Sequence, residues 1–158
     1  MKKIYIASPY GFSEASKDFY YDKIIPILEN AGFEVIDPWT LTPSEDIKKI
    51  NSMAYGIDKK LAWEKQNIKI AEKNIEGIDN CDYMLAILDG VDVDSGTASE
   101  IGYAFALGKK ILGYRGDFRL SSDNEGSLVN LQVEYFIRES GGMIVTSYED
   151  IVKNLLNY

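Results

Sequence analysis

The 158-residue sequence contains no histidine and a single cysteine, Cys81. The absence of histidine excludes His-based triads, His-ligated metal sites and a histidine acting as general acid or base. One cysteine cannot form an internal disulfide or a Cys-rich zinc site, and its place in NCDYMLAIL, beside an apolar run, predicts a packed thiol. Any catalysis therefore falls to carboxylates, hydroxyls or amides, and we expect no metal and no organic cofactor.

Positive charge is also scarce, since 17 Lys and Arg stand against 25 Asp and Glu, for a net charge of -8 without a basic stripe. This balance argues against nucleic acid and against an anionic membrane surface as partners, because both are bound through neutralised phosphates. No apolar run approaches the roughly 18 residues of a spanning helix. The start, MKKIYIASPY, is too short for a signal peptide. We expect a cytoplasmic protein.

Short apolar runs alternate with helical stretches, which is the pattern of a parallel sheet wrapped by helices. The predicted strands are residues 3–8, 33–37, 83–88, 110–114 and 143–147. The predicted helices are residues 13–32, 44–79, 97–107, 130–140 and 148–158. We expect one domain, residues 1–158, with an α/β fold: a flavodoxin-like or Rossmann-like three-layer sandwich around a five-stranded parallel sheet.

Proline and glycine mark the interruptions in these helices. Pro26 lies inside the first helix and is expected to kink or shorten it, because proline lacks the N–H that a helix interior uses. The second helix is expected to break near Gly56. Gly108 closes the third helix, since glycine readily adopts the backbone conformation that follows a helix end.

Three loops follow the carboxyl ends of predicted strands, where sheets of this type bind ligands: residues 8–12, 89–96 and 115–128. Neither G-x-G-x-x-G nor G-x-x-x-x-G-K-[ST] occurs in the sequence, so dinucleotide and nucleoside triphosphate binding by the usual loops is not expected. Tyr10 and Phe12 in the first loop could stack on a planar heterocycle or pack in the core. Stacking is less favoured for Trp39 and Trp63.

The stretch DVDSGTASEIGYAFALGKK carries three acids where a strand gives way to a helix: Asp92, Asp94 and Glu100. Thr97 and Glu100 fit a capping box, with Asp92 or Asp94 as a loop acid or an alternative cap. The same acids also suit catalysis. A carboxylate in the first helical turn is kept ionised by the helix dipole, as a covalent glycosyl-transfer nucleophile must be. The pattern leaves both interpretations open.

Three segments, IYIASPYGF, NCDYMLAILDG and DSGTASEIGYAFALGKKILGYRGDFR, resemble the nucleoside 2-deoxyribosyltransferase family, over residues up to about Asn130. The resemblance implies dimers, often built into larger rings. It implies transfer of a 2-deoxyribosyl group from a 2′-deoxynucleoside to another free nucleobase. In that reaction Glu100 is the nucleophile that attacks C1′, and two inversions give net retention with ping-pong kinetics.

The resemblance also implies roles for neighbouring residues. Asp94 would bind the 5′-hydroxyl of the sugar, Asn130 would reach the same hydroxyl from a neighbouring subunit, and Tyr5 would orient the nucleophile. Asn74 stands where well-known members have an aspartate that assists protonation of the leaving base, and an amide cannot supply that proton in the same way. The remaining expected substrate contacts come from the strand-end loops: Tyr10, Phe12, Asp89, Asp92 and Gly96.

Asn74 would then orient the base, while Asp89, Asp92 or solvent handles the proton.

Two other functions stay open. Proteins of this fold also hydrolyse nucleoside 5′-monophosphates, but Asp94 would repel a 5′-phosphate of nearly two negative charges. Arg115 and Arg119 would weaken that argument if they turned inward, although we expect them to be solvated or paired with Asp117 and Asp123. A nucleotide-sensing module without turnover is the second alternative, and replacement of Glu100 would discriminate it from an enzyme.

Overall fold

Five parallel strands form one sheet in the computed structural model, which describes residues 1–158. Their bounds are Lys2–Ala7 (β1), Phe33–Ile36 (β2), Tyr83–Ile87 (β3), Lys110–Tyr114 (β4) and Ile144–Val145 (β5). The order across the sheet is β2-β1-β3-β4-β5, which is the flavodoxin-like order. The predicted five-stranded α/β sandwich is thus confirmed. Only β5 is much shorter than predicted, and it pairs at one edge of the sheet through two residues.

Seven α-helices surround the sheet: Glu14–Phe19 (α1), Ile25–Asn30 (α2), Ser44–Asn51 (α3), Ile57–Asn80 (α4), Ser95–Ala106 (α5), Leu131–Glu139 (α6) and Glu149–Leu155 (α7). The second predicted helix does break around Gly56, between α3 and α4. Gly108 follows α5 with a positive φ of 70°, as a helix-terminating glycine does. No helix in the structure combines the length and the apolar character needed to cross a membrane.

The core has two halves because successive side chains of a strand point to opposite faces of the sheet. Ile4 and Ile6 of β1 pack on one face with residues of α2 and α7. Tyr5 and Ala7 of the same strand pack on the other face with residues of α4, α5 and α6. Tyr5 therefore lies on the side of the sheet that α5 covers.

The first predicted helix is helical from Glu14 to Asn30, and Pro26 lies just after a π-helical widening of it. A π-helical turn, Tyr20–Ile24, separates α1 from α2, and Pro26 lies in the first turn of α2. The wider turn before Pro26 relieves the clash of the proline ring with the preceding carbonyls, which allows the helical run to continue past it.

The sheet order places the expected ligand edge between β1 and β3. Strand β1 pairs with β2 on one side and with β3 on the other, so the connections leave in opposite directions at this point. A crevice opens beyond the carboxyl ends of strands at such a switch point. The segments after β1 and β3, which start at Ser8 and Leu88, both lie there.

Candidate active site

A cavity of about 390 Å³ lies at this switch point. Small-molecule sites in proteins have volumes of roughly 300–1,000 Å³, so the cavity is large enough for a small ligand. Its walls come from four parts of the chain, which are the loops after β1 and β2, one face of α4, and the start of α5. The lining residues are Ser8, Phe12, Pro38, Trp39, Asn67, Ile70, Asn74, Asp94, Gly96, Thr97 and Glu100.

The cap of α5 differs from the predicted capping box. Asp94 is the N-cap, and its Oδ2 accepts a hydrogen bond from the backbone N–H of Thr97 over 3.0 Å. Thr97 is buried inside the first turn, and Glu100 lies in the second turn instead of reaching back to the cap. The capping-box interpretation of Thr97 and Glu100 is therefore wrong, and the side chain of Glu100 is available to the cavity.

Two side chains hold one oxygen of Glu100. The Tyr5 hydroxyl donates to Oε1 over 2.7 Å, and the Asn74 Nδ2 donates to the same atom over 3.3 Å. Tyr5 is fully buried in β1, and Asn74 is fixed on the long helix α4. Both donors therefore come from rigid elements. Oε2 accepts no hydrogen bond from the protein.

The pKa of the Glu100 carboxyl is raised to about 7. Burial is the largest cause, because it removes water from the charged form. The Tyr5 hydrogen bond opposes this shift, and the negative charge of Asp94 adds to it. The direction is opposite to the one expected from a first-turn position, where the helix dipole would dominate. Burial and the Glu100 charge also raise the pKa of Tyr5 far above its ordinary value, so Tyr5 remains a donor.

Phe12 and Trp39 form an aromatic wall of the cavity. Their ring centroids are 4.7 Å apart with perpendicular planes. Stacking was less favoured for Trp39 from the sequence, yet its position directly after β2, in IDPW, is at the ligand edge of the sheet. Its backbone is fixed by Asp37, whose Oδ1 accepts the Trp39 N–H over 3.1 Å. The ring also covers Gly11, where a Cβ atom would lie 2.3 Å from the indole.

Helix α4 contributes three residues to the cavity lining, and only Asn74 among them was predicted. Asn67, Ile70 and Asn74 line the cavity at spacings of three and four residues, which place them on one helical face. The spacing itself was visible in the sequence. Gly96 also lines the cavity, and a Cβ there would approach Asp94 Oδ2 to 3.0 Å, so glycine leaves room for that carboxylate.

Several predicted substrate contacts lie outside the cavity lining. Tyr10 is buried and its hydroxyl donates to Asp89 Oδ2 over 2.5 Å. Asp89 Oδ1 accepts the backbone N–H of Asp117 over 2.9 Å, so the Asp89 carboxylate ties the first and third loops together. Asp92 is exposed and accepts the N–H of Val93.

Asn130 is likewise outside this cavity and caps α6 through hydrogen bonds from Gln132 and Val133.

Arg115 lies in the protein interior, where it binds the backbone. It is buried, with an exposed fraction of 3%, and its guanidinium donates to the backbone carbonyls of Leu88, Gly90 and Arg119. The expectation that Arg115 is solvated or paired with an acid is therefore wrong. Arg119 does pair with Asp117 at the surface. No lysine or arginine lines the cavity, and the chain holds no group of three or more metal-ligating His, Cys, Asp or Glu side chains.

A flavodoxin-like sheet with a half-buried, hydrogen-bonded carboxylate at its switch point is the architecture of an α/β protein with a candidate small-molecule site. Residues 4–132 match the model of one family of this architecture, described as nucleoside 2-deoxyribosyltransferase. Since that match covers most of the chain, the protein belongs to the nucleoside 2-deoxyribosyltransferase family.

Solved structures resemble the whole chain. A conserved protein from Enterococcus faecalis V583 is 25% identical with a TM-score of 0.70, and the match covers 99% of this chain and 98% of that chain. A 2-desoxiribosyltransferase from Leishmania mexicana is 25% identical with a TM-score of 0.69, over 100% and 99% of the two chains. The CMP N-glycosidase BcmB from Clostridium botulinum shares the fold at 23% identity and a TM-score of 0.55, over 99% and 100%.

Family and neighbours together support an enzyme that transfers or hydrolyses at the glycosidic bond of nucleosides.

Proposed function

We propose that this protein transfers the 2-deoxyribosyl group of a 2′-deoxynucleoside to another free nucleobase through a covalent deoxyribosyl–Glu100 intermediate. The observation that carries the proposal is the state of Glu100. One of its oxygens is held by Tyr5 and Asn74, and the other is unpaired on the wall of a nucleoside-sized cavity. A retaining glycosyl transfer needs a carboxylate oriented in this manner.

In the first half-reaction, Oε2 of ionised Glu100 forms a bond to C1′ while the C1′–N bond breaks. The electron pair of that bond goes to the base nitrogen, which takes up a proton and leaves. In the second half-reaction a nitrogen of the second base attacks C1′ from the face that the first base vacated. The ester bond breaks, its electron pair returns to Glu100, and the new base loses a proton. Two inversions give net retention.

Asp94 supports a nucleoside over a nucleoside 5′-monophosphate. Its Oδ2 is engaged in the helix cap, but Oδ1 accepts no hydrogen bond from the protein and can accept one from a 5′-hydroxyl. A 5′-phosphate would instead meet this carboxylate in a cavity without lysine or arginine. Arg115, which the sequence left open as a possible phosphate partner, is occupied by three backbone carbonyls.

Phe12 and Trp39 suit the base, because aromatic rings stack on planar heterocycles. We assign the base to this wall and the 5′-hydroxyl to Asp94, with Glu100 facing C1′ between them. The remaining predicted contacts, Tyr10, Asp89 and Asp92, would support the loops rather than touch the substrate.

We further propose that a dimer completes the site. Asn130 caps α6 outside the cavity of its own chain, and the next turns of that helix expose the apolar side chains of Leu131 and Tyr135, each to about half. An exposed apolar face of this kind suits burial against a second copy. Asn130 of the partner subunit would then approach the 5′-hydroxyl.

The test is an assay of purified protein with 2′-deoxynucleosides, with and without a different free base, followed by chromatography. Transfer predicts a new deoxynucleoside that forms only when the second base is present. Glu100→Gln is the matched variant, since glutamine keeps an oxygen for Tyr5 but is not a nucleophile, and it should abolish the product. Intact-protein mass spectrometry after acid quenching should detect one deoxyribosyl group on the wild type only.

Release of free base at the same rate with or without acceptor would instead establish a hydrolase, and 5′-monophosphates would be compared next. A folded protein without turnover of either substrate class would contradict the proposal that the protein is an enzyme. It would favour a nucleotide-sensing module.

A further inference from the structure

Asp37 is a buried carboxylate that has no cation beside it. Its exposed fraction is 7%, and none of the ion pairs of the chain includes it. Oδ1 accepts hydrogen bonds from the Tyr20 hydroxyl over 2.9 Å and from the Trp39 backbone N–H over 3.1 Å. Oδ2 accepts the Tyr21 hydroxyl over 3.0 Å. Burial of a carboxylate is costly unless hydrogen bonds satisfy it, so these three donors compensate for the missing cation.

The π-helical turn Tyr20–Ile24 supplies two of these donors from consecutive residues. Successive residues of an α-helix point about 100° apart, whereas a π turn, closed by i→i+5 hydrogen bonds, rotates less per residue. The widened turn therefore brings the hydroxyls of Tyr20 and Tyr21 to the two oxygens of one carboxylate. Burial and the charge of Asp37 raise the pKa of Tyr21 to about 12, so its hydroxyl remains a donor at neutral pH. Turns of this kind occur frequently at functional sites.

Asp37 fixes the segment that carries Trp39. It follows β2 directly, and its backbone carbonyl accepts the N–H and the hydroxyl of Thr40 over 3.0 and 2.9 Å. The side chain and the main chain of Asp37 thus hold the loop on both sides of Trp39. The indole is 37% exposed, so packing against Gly11 and Phe12 restrains it only in part. The hydrogen bonds at Asp37 supply further restraint.

Trp39 also borders a second cavity. This cavity has a volume of about 420 Å³ and is lined in part by α3. Pro38, Trp39 and Ile70 line both this cavity and the one that contains Glu100. Because Glu100 does not line the second cavity, Trp39 stands between the two spaces. An indole without its tether would have room to move away from the base.

We propose that Asp37 is a positioning residue for the base: its carboxylate, held by Tyr20 and Tyr21, fixes Trp39 as the wall on which a planar base stacks. This inference rests on the proposed function and deepens it, since it names the group that determines how tightly the base is bound. Asp37 does not line the cavity and makes no hydrogen bond to Glu100. Its loss should therefore weaken base binding while the chemical step stays almost unchanged.

The fluorescence of Trp39 tests the inference without depending on turnover. The chain has two tryptophans, and Trp63 lies outside the cavity lining, so Trp63→Phe leaves Trp39 as the only reporter. Quenching by added adenine or cytosine then gives the affinity for each base. In this background Asp37→Ala should raise Kd for the tighter base about 5-fold or more, because stacking on an aromatic ring contributes at least that factor.

The same variant should lower the fluorescence anisotropy of Trp39, since the ring is less restrained. Asp37→Asn keeps an oxygen for the Trp39 N–H and should restore the affinity to within about 3-fold of the parent protein. Kinetics of the transfer should show a matching split. In Asp37→Ala the KM for the acceptor base should rise, while kcat stays within about 3-fold of the wild type.

Asp79→Ala is the matched control, since Asp79 also accepts a tyrosine hydroxyl, that of Tyr103, but lies outside the cavity lining. It should leave both the affinity and the anisotropy unchanged. Unchanged base affinity in a folded Asp37→Ala protein would overturn the inference and leave the proposed transfer intact. If Asp37→Ala does not fold, Tyr21→Phe replaces it. That variant removes one hydrogen bond at a partly exposed position and should raise Kd about 2-fold or more, and unchanged affinity would again overturn the inference.

Failure of the proposed function gives a different result. If the wild type transfers no deoxyribosyl group, that function fails, and the fluorescence titrations with adenine and cytosine still decide the role of Asp37. A wild-type Trp39 whose fluorescence responds to neither base would overturn the inference.

Discussion

The hydroxyl of Tyr5 donates to Oε1 of Glu100 over 2.7 Å and so connects the first strand of the sheet to the second turn of α5. Tyr5 is fully buried, and its strand is paired on both sides. A side chain on a central strand has little freedom, so the carboxylate is oriented by the most rigid part of the fold. In the proposed reaction, orientation of this kind would lower the barrier to attack on C1′.

Tyr5→Phe should lower kcat/KM about 10-fold to 100-fold at neutral pH, since hydrogen bonds to charged groups contribute about 1.5–3 kcal/mol. The Tyr5 bond lowers the pKa of Glu100, so its loss should move the acidic limb of the pH–rate profile upward. The measurement is kcat/KM between pH 5 and 9.

Tyr20→Phe is the control, because Tyr20 is equally buried and donates to a different carboxylate, that of Asp37. It should lower stability without moving the profile. Identical profiles for Tyr5→Phe and the wild type would contradict the orienting role.

Glu100→Gln should be more stable than the wild type at pH 8. The pKa of Glu100 is about 7 in the folded protein against an ordinary 4.5, so between these values the folded state holds a proton that the unfolded chain has lost. Stability therefore falls as pH rises through this window and stays lowered above it. Glutamine does not titrate, so the variant avoids this loss of folding stability, which is on the order of 1–3 kcal/mol.

Urea unfolding at pH 4 and pH 8 checks this. The difference between variant and wild type should be small at pH 4 and should grow with pH. A constant difference would show that the pKa of Glu100 is not raised.

Asp94→Asn and Asp94→Ala separate the two roles of Asp94. Asparagine caps helices about as well as aspartate, whereas alanine costs about 1 kcal/mol of stability. The asparagine variant should keep the unfolding midpoint and most activity on deoxynucleosides, and its relative activity on 5′-monophosphates should rise because a negative charge is gone. The alanine variant should lose both stability and activity. Unchanged selectivity in Asp94→Asn would contradict the placement of the 5′ position.

Arg115→Met should lower the free energy of unfolding by about 2–4 kcal/mol, because it leaves the carbonyls of Leu88, Gly90 and Arg119 without their donor. Arg119→Met removes an exposed ion pair with Asp117 and should cost less than about 1 kcal/mol. Denaturant titration of both variants gives the comparison. Equal effects would show that burial of Arg115 has no energetic importance.

Much of the fold follows from local patterns. The apolar runs of β1, β3 and β4 and the breaks near Gly56 and Gly108 depend on residues close in sequence, and the structure has them within one or two positions. The length of β5 could not be predicted in this way. An edge strand is bounded by which backbone groups find a partner, and that depends on β4 rather than on its own sequence.

The candidate active site was harder to predict from local sequence patterns. For the cap of α5 the capping box at Thr97 was wrong and the alternative cap Asp94 was right, because both residues suit that position and only the entry of the chain into the helix decides between them. Glu100 lies among residues that are distant in sequence, such as Tyr5, which is 95 residues away. Its raised pKa therefore could not be inferred from the first-turn pattern, and the contribution of Trp39 depended on how the loops after β1 and β2 meet.

The contact between Gly11 and Trp39 couples the side chains that these two positions can hold. A Cβ on residue 11 would overlap the indole at 2.3 Å, so a larger side chain there is compatible only with a smaller ring at position 39. A single substitution at either position would give a poorly packed protein. A paired substitution at both positions would reshape the cavity without that loss of packing. Positions 11 and 39, in the loops after β1 and β2, therefore have to change together. Mutant libraries that seek new base selectivity should vary both positions jointly.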